Sequence, residues 1–163
     1  MNRIISIKSR CWGARLYKVS IDGGSPVPVT DYLAYSPTVS PDGKLIACFS
    51  TDSQSRQQKL FIIPFEGGAP LKTLDTKMME FTVLLTPLRW TPDGKSLIYI
   101  DKRQVASNLW RLPLDGGAPQ QVTKFNDAQP ERIWSFDLSR DGKQLVIARG
   151  GVSTDVVLIS EVK

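Results

Sequence analysis

The chain has 163 residues, 41% hydrophobic and 23% charged, which suits one globular unit of ordinary size and excludes a disordered polymer. Its net charge is +5, but the 21 basic residues are scattered singly with no basic run or basic helix, so the excess reads as a solvated surface and not as a nucleic-acid footprint. Histidine is absent, which removes imidazole as a base, a metal ligand or a pH switch and leaves no Ser-His-Asp or Cys-His group within this chain.

In chain order the first apolar run, 3–7, pairs best through a short loop with a strand over 14–21, which ends in Asp22-Gly23-Gly24. Strands follow at 26–30 and 36–40, then the turn Pro41-Asp42-Gly43-Lys44, a strand at 44–50 and another at 59–65. That last strand ends in Glu66-Gly67-Gly68 and is followed by 70–74. The same order returns as 87–91, Pro92-Asp93-Gly94-Lys95, 95–101, 108–114, Asp115-Gly116-Gly117 and 119–123. It begins a third time with 134–139, Asp141-Gly142-Lys143 and 143–149, and stops after 155–160. Proline presets φ in these turns and glycine supplies the positive φ they need; Asp-Gly is a strong hairpin signal.

The spacings fix the unit. Asp22 to Glu66 is 44 residues and Glu66 to Asp115 is 49; Asp42 to Asp93 is 51 and Asp93 to Asp141 is 48. Repeats of about 40 to 50 residues with four strands each are propeller blades. Naming the strands A to D, the sequence predicts an all-β partial propeller: two complete four-stranded antiparallel blades flanked by two incomplete ones. Residues 1–163 form a single segment with blade pieces at about 3–30, 36–74, 87–123 and 134–160. No helix is required.

These repeats resemble the TolB-like (WD40-like) β-propeller repeat. Ser-Pro-Asp-Gly-Lys before an aliphatic strand, then Leu-Trp-Arg-Leu-Pro-Leu-Asp-Gly-Gly and a Gln-Val-Thr strand, carry the likeness at 40–46, 91–98, 108–123 and 139–147. The run from Trp134 to Ser160 is similar to the C-terminal end of bacterial multidomain proteins, in which a eukaryotic-like serine/threonine kinase or a winged-helix domain precedes such a propeller. The resemblance implies a non-catalytic sensing or scaffold segment. The chain itself has no glycine-rich phosphate loop, His-Arg-Asp or Asp-Phe-Gly.

Other chemistry is thinly marked. Cys11 and Cys48 make neither a disulfide framework nor a zinc site; Cys48 reads as a small buried hydrophobe and Cys11 as a loop residue. Asp75, Glu80, Asp127 and Glu131 lack the dense spacing of a calcium loop. No metal, cofactor or catalytic residue is expected. Trp12, Trp90, Trp110 and Tyr99 could stack on bases but read better as core. Arg89 and Asp137 hold corresponding strand A positions and are either a cross-blade ion pair or unrelated. Apolar stretches such as 60–65 and 81–85 are strand-sized, so no membrane insertion is expected. The N-terminus shows no signal peptide. The compartment stays open: cytoplasmic for a free chain, extracytoplasmic within a longer protein.

The A–B and C–D turns are short and stereotyped, whereas the B–C and D–A connections vary, and function collects on variable loops held by a rigid scaffold. A protein partner or small ligand is therefore expected on the B–C/D–A face, with Tyr35, Arg56, Arg103, Arg132 and Trp134 as the residues to test. The plainer role of Tyr35 and Trp134 is packing between blades, and of the arginines, solvation. Because an open arc exposes flanks and edges, the other expected partners are the remaining blades of a longer propeller or a second copy of the chain. The leading expectation is a non-enzymatic binding or scaffold module. The alternative is the propeller cap of a prolyl-oligopeptidase-like serine hydrolase, whose catalytic domain would have to follow.

Overall fold

The computed structural model describes residues 14–52, 57–75, 87–101, 107–125 and 131–151, together with the backbone of 3–9. Thirteen strands are present among them and no helix. The first sheet comprises β1 (Arg3–Ser9), β2 (Ala14–Ser20) and β3 (Val27–Pro28) in that order. Two four-stranded meanders follow: β4 (Ala34–Val39), β5 (Leu45–Thr51), β6 (Gln58–Pro64) and β7 (Lys72–Asp75), then β8 (Leu88–Trp90), β9 (Ser96–Asp101), β10 (Asn108–Pro113) and β11 (Gln120–Gln121). The fourth sheet pairs β12 (Arg132–Leu138) with β13 (Leu145–Gly150). All neighbouring strands are antiparallel. The all-β propeller architecture read from the repeat is thus present. The strand expected at 155–160 lies outside the described residues.

Period-two patterning explains the stacking. Side chains alternate across a strand, so a sheet between two neighbours needs apolar residues on both faces. On β5, Ile46 and Cys48 join Leu16, Val29 and Ile63 in the cluster shared with the first sheet. Ala47 and Phe49 turn the other way, to Leu88, Trp90, Leu97 and Tyr99 of the next. On β9, Leu97 and Tyr99 face back, while Ile98 and Ile100 face forward to Ile133 and Phe136. Polar contacts also cross the seams. Trp90 Nε1 donates to the Thr38 carbonyl at 3.0 Å, Arg89 Nε meets Asp137 Oδ1 at 3.1 Å, and Lys18 pairs with Glu66.

The inner strands start earlier than expected. Tyr35 and Arg132, read as connection residues, lie inside β4 and β12. Each strand continues beyond an irregularity in register, between Tyr35 and Thr38 and between Ile133 and Ser135. Pro37 has no N–H for the ladder and Ser36 takes φ 51°, so the sequence looks broken where the strand only bulges.

The three Asp-Gly-Lys turns are one structure built three times. Asp42, Asp93 and Asp141 each accept through Oδ1 from the hydroxyl two residues earlier, Ser40, Thr91 or Ser139, at 2.6 Å. The same oxygen accepts from the backbone N–H of Lys44, Lys95 or Lys143 at 3.0–3.1 Å. The turn glycines Gly23, Gly43, Gly67, Gly94, Gly116 and Gly142 all take positive φ, between 67° and 100°; Asp22 and Asp115 precede two of them. At two positions space adds to the requirement. A Cβ on Gly142 would stand 2.7 Å from Pro92 of the preceding blade, and one on Gly67 would stand 2.6 Å from the Val29 carbonyl. These turns seat successive blades against each other.

Candidate ligand face

The stack has two ends with different chemistry. At the A–B turn end the carboxylates are already satisfied. Hydrogen bonds from Ser40 and then Lys44 N hold the Asp42 carboxyl below the ordinary carboxylate range, and Thr91 with Lys95 N, and Ser139 with Lys143 N, do the same for Asp93 and Asp141. A groove of about 390 Å³ runs between two of these turns, lined by Ser40, Asp42, Trp90 and Asp93 among others. Its carboxylates are engaged in holding the turns.

At the loop end, β12 projects two of the expected residues. Arg132 is exposed at its first position and pairs in register with Gly150. Trp134 is 54% exposed, and its indole nitrogen lies 4.0 Å from where a Cβ on Gly150 would sit. Beside them Arg149 stacks 4.0 Å over the Phe125 ring and pairs with Glu131 at 3.2 Å. That corner fixes the end of β13 against the connection that enters β12. Sequence reasoning passed over Arg149 and Phe125 because their meeting depends on tertiary placement; nothing in their local spacing marks it.

Tyr35 is placed differently. It is half-buried on β4, its ring 6.0 Å from Phe49, and its hydroxyl accepts from Gln58 Nε2. Burial raises its pKa, partly offset by Gln58. Tyr35 packs in the seam between the two complete blades. Trp134 occupies the corresponding position, seven residues before its turn aspartate, and stands open. Arg56 and Arg103 lie outside the described residues. Arg132 and Trp134 are thus both exposed on β12, whereas Tyr35 is half-buried in a seam.

Nucleophilic chemistry has little support among the described residues. Burial pushes the Cys48 thiol up to about 12, which leaves it protonated at neutral pH. Burial likewise pushes the Tyr32 hydroxyl up to about 12. No group of histidine, cysteine or carboxylate side chains suited to a metal occurs among the described residues. The described residues hold no helix long and apolar enough to cross a membrane, a statement that leaves β-barrels aside.

No family model matches the chain. Among solved structures it superposes on TolB from Acinetobacter baumannii with a TM-score of 0.66 at 19% identity, covering 89% of this chain and 34% of that one. The fold is therefore that of a TolB-like β-propeller. Among curated proteins it is 29% identical over 118 residues to dipeptidyl-peptidase 5 of Porphyromonas gingivalis, covering 64% of this chain and 17% of the relative. It is 26% identical over 155 residues to the uncharacterized peptidase YuxL of Bacillus subtilis, covering 95% of this chain and 20% of the relative. The chain thus spans a fifth or less of the length of these two curated relatives.

Proposed function

We propose that the chain is a non-catalytic propeller module that binds a protein partner or small ligand at its loop end, as the sensing or interaction segment of a larger bacterial signalling or envelope protein. The observation that carries this reading is the exposed Trp134 beside Arg132 on a strand braced by the Arg149–Glu131–Phe125 corner. Tryptophan and arginine are among the side chains on which binding energy concentrates, the one through its large apolar area and the other through its fixed fork of donors. The opposite end supports it by contrast: its carboxylates are taken up in holding turns.

The test is a titration with short acidic and neutral peptides followed by NMR, with the Trp134 indole assigned by Trp134→Phe. Shifts are expected at Trp134 and Arg132 but not at the Asp-Gly-Lys turns. Trp134→Ala or Arg132→Ala should weaken a positive probe by roughly tenfold or more. Shifts confined to the turn end would overturn the assignment.

A second reading, the propeller cap of a prolyl-oligopeptidase-like serine hydrolase, is supported by the likeness to two curated relatives named as peptidases. Since this chain has no histidine, the catalytic base would come from another part of such a protein. A Gly-x-Ser-x-Gly sequence followed by a histidine in the same reading frame would move the conclusion to this reading.

A further inference from the structure

The first and second seams of the stack differ at one outer-edge position, and the difference opens a groove. Four residues after the second glycine of the C–D turn stand Pro28 in the first blade and Lys72 in the next. Lys72 Nζ reaches across the second seam and donates to the Leu114 carbonyl, just before Asp115-Gly116-Gly117. Proline has no such reach. At the first seam a groove of about 690 Å³ stays open, lined by Arg15, Pro28, Asp31, Tyr32, Ala69 and Pro70 among others. That volume lies within the roughly 300–1,000 Å³ of ordinary ligand sites.

The walls of this groove are held in place. Thr30 is buried; its hydroxyl accepts from Leu16 N and donates to the Tyr32 carbonyl, each at 3.1 Å. The Tyr32 ring stands edge-on to Phe61, with 5.7 Å between centroids. A preformed groove loses little ordering entropy when it is filled. Two opposite charges line it, Arg15 and Asp31, both exposed. Neither has an ion pair or a side-chain hydrogen bond among the described residues. The corresponding residues of the next blade are Lys59 and Asp75, and there Lys59 is taken up by Asp52 at 3.5 Å. In the third blade Asn108 replaces the cation and is tied to Thr123 and Phe125. Strand addition is poorly served here, because the edge strand β3 has two residues and one is Pro28.

We propose that this groove binds an extended internal segment of a partner protein through side chains of both signs. An acidic side chain of the segment meets Arg15, a basic one meets Asp31, and small or apolar residues between them lie on Pro28, Ala69 and Pro70. Charge complementarity names the occupant: a segment of one sign would bring like charges together at Arg15 or at Asp31. The site shares no residue with Arg132 and Trp134, so it stands or fails apart from the loop-end reading.

The experiment titrates the full chain by NMR with three capped peptides: acetyl-Glu-Pro-Ala-Pro-Lys-amide, its reverse acetyl-Lys-Pro-Ala-Pro-Glu-amide, and a neutral form with Gln at both ends. One charged order should bind roughly fivefold or more tighter than the neutral form, with the gap narrowing as salt is raised. Amide shifts are expected at Arg15, Asp31 and Ala69, with the Trp134 indole unmoved. Exchanging the two charges by Arg15→Asp with Asp31→Arg should reverse the preferred order, a readout that a merely structural role would not move. Pro28→Lys should span the seam to the Phe65 carbonyl as Lys72 spans the next, and weaken the peptide roughly tenfold without lowering the melting temperature. Equal binding of the three peptides, or binding of none, overturns the proposal. So does an order preference that survives the charge exchange, or tighter binding of an uncapped dipeptide, which would assign the site to free termini.

Discussion

Strands β9 and β13 hold the same place in successive blades, and their sequences are close in kind: Ser96-Leu97-Ile98-Tyr99-Ile100-Asp101 against Gln144-Leu145-Val146-Ile147-Ala148-Arg149. All six residues of β9 are buried, whereas β13 alternates between half-buried and exposed. The backbone conformation and the turn that precedes each strand are shared. The difference comes from the neighbours: among the described residues β9 packs against a sheet on both faces and β13 against one on a single face. In a stacked repeat, burial is a property of the seam and is assigned to a residue by what stands in front of it.

The largest expected effect tests that statement at one pair of positions. Ile98 is 1% exposed against the following sheet, so Ile98→Ala should cost about 2–5 kcal/mol in a denaturant melt, through lost transfer energy and the cavity left behind. Val146→Ala removes an apolar side chain of similar kind from the open face and should stay within about 0.5 kcal/mol for the monomer. Equal losses at the two sites would break the comparison.

Most of the fold was legible because the repeat writes it redundantly. Each turn states its own chemistry in Asp-Gly-Lys, and three statements at regular spacing leave little room for another architecture. The hydroxyl partners Ser40, Thr91 and Ser139 were also visible, two residues before each aspartate, though their role emerges only with the closed turn. The starts of β4 and β12 were not legible, because Pro37 and the bulge at Trp134 interrupt the pattern that marks a strand. At the ligand face the sequence named Arg132 and Trp134 by residue type alone. It had no means to separate Trp134 from Tyr35, since their unequal exposure depends on tertiary placement: Tyr35 packs beside Phe49 in a seam, and Trp134 stands open at the irregularity in β12.

The turns allow a second test within one motif. Gly43 and Gly142 have nearly the same φ, 72° and 69°, but a Cβ meets nothing within 4 Å at Gly43 and the Pro92 ring at 2.7 Å at Gly142. Gly43→Ala should cost about 1–2 kcal/mol for the left-handed backbone alone. Gly142→Ala should cost more, by whatever the Pro92 ring must yield, and thermal melts of the two variants would show the gap. Identical melting temperatures would mean that the turn does not seat one blade on another.

Acid should act on all three turns together. The folded carboxyls of Asp42, Asp93 and Asp141 are depressed by their Ser or Thr hydroxyls first and by the backbone N–H of the lysine second. A depressed folded pKa contributes stability that is present above the unfolded value of about 4 and is lost as pH falls through the folded one. Stability should therefore decline from about pH 4 downward. Ser40→Ala should flatten part of that decline, because it removes the hydroxyl that favours the charged form. A profile unchanged by Ser40→Ala, Thr91→Ala and Ser139→Ala together would dissociate the turns from the acid response.

The smallest effect belongs to the seam between the third and fourth sheets. Arg89 Nε stands 3.1 Å from Asp137 Oδ1, with the two side chains 40% and 71% exposed. An ion pair this open is screened by solvent and by salt, and the ordering of two side chains offsets much of its attraction. Asp137→Asn should therefore change stability by about 0–1 kcal/mol, with the difference shrinking as salt is raised. The apolar part of the same seam, Ile98 and Ile100 against Ile133 and Phe136, is fully buried and insensitive to salt. If Asp137→Asn instead approached the loss expected for Ile98→Ala, the fourth sheet would be held by charge and not by the packing that holds the others.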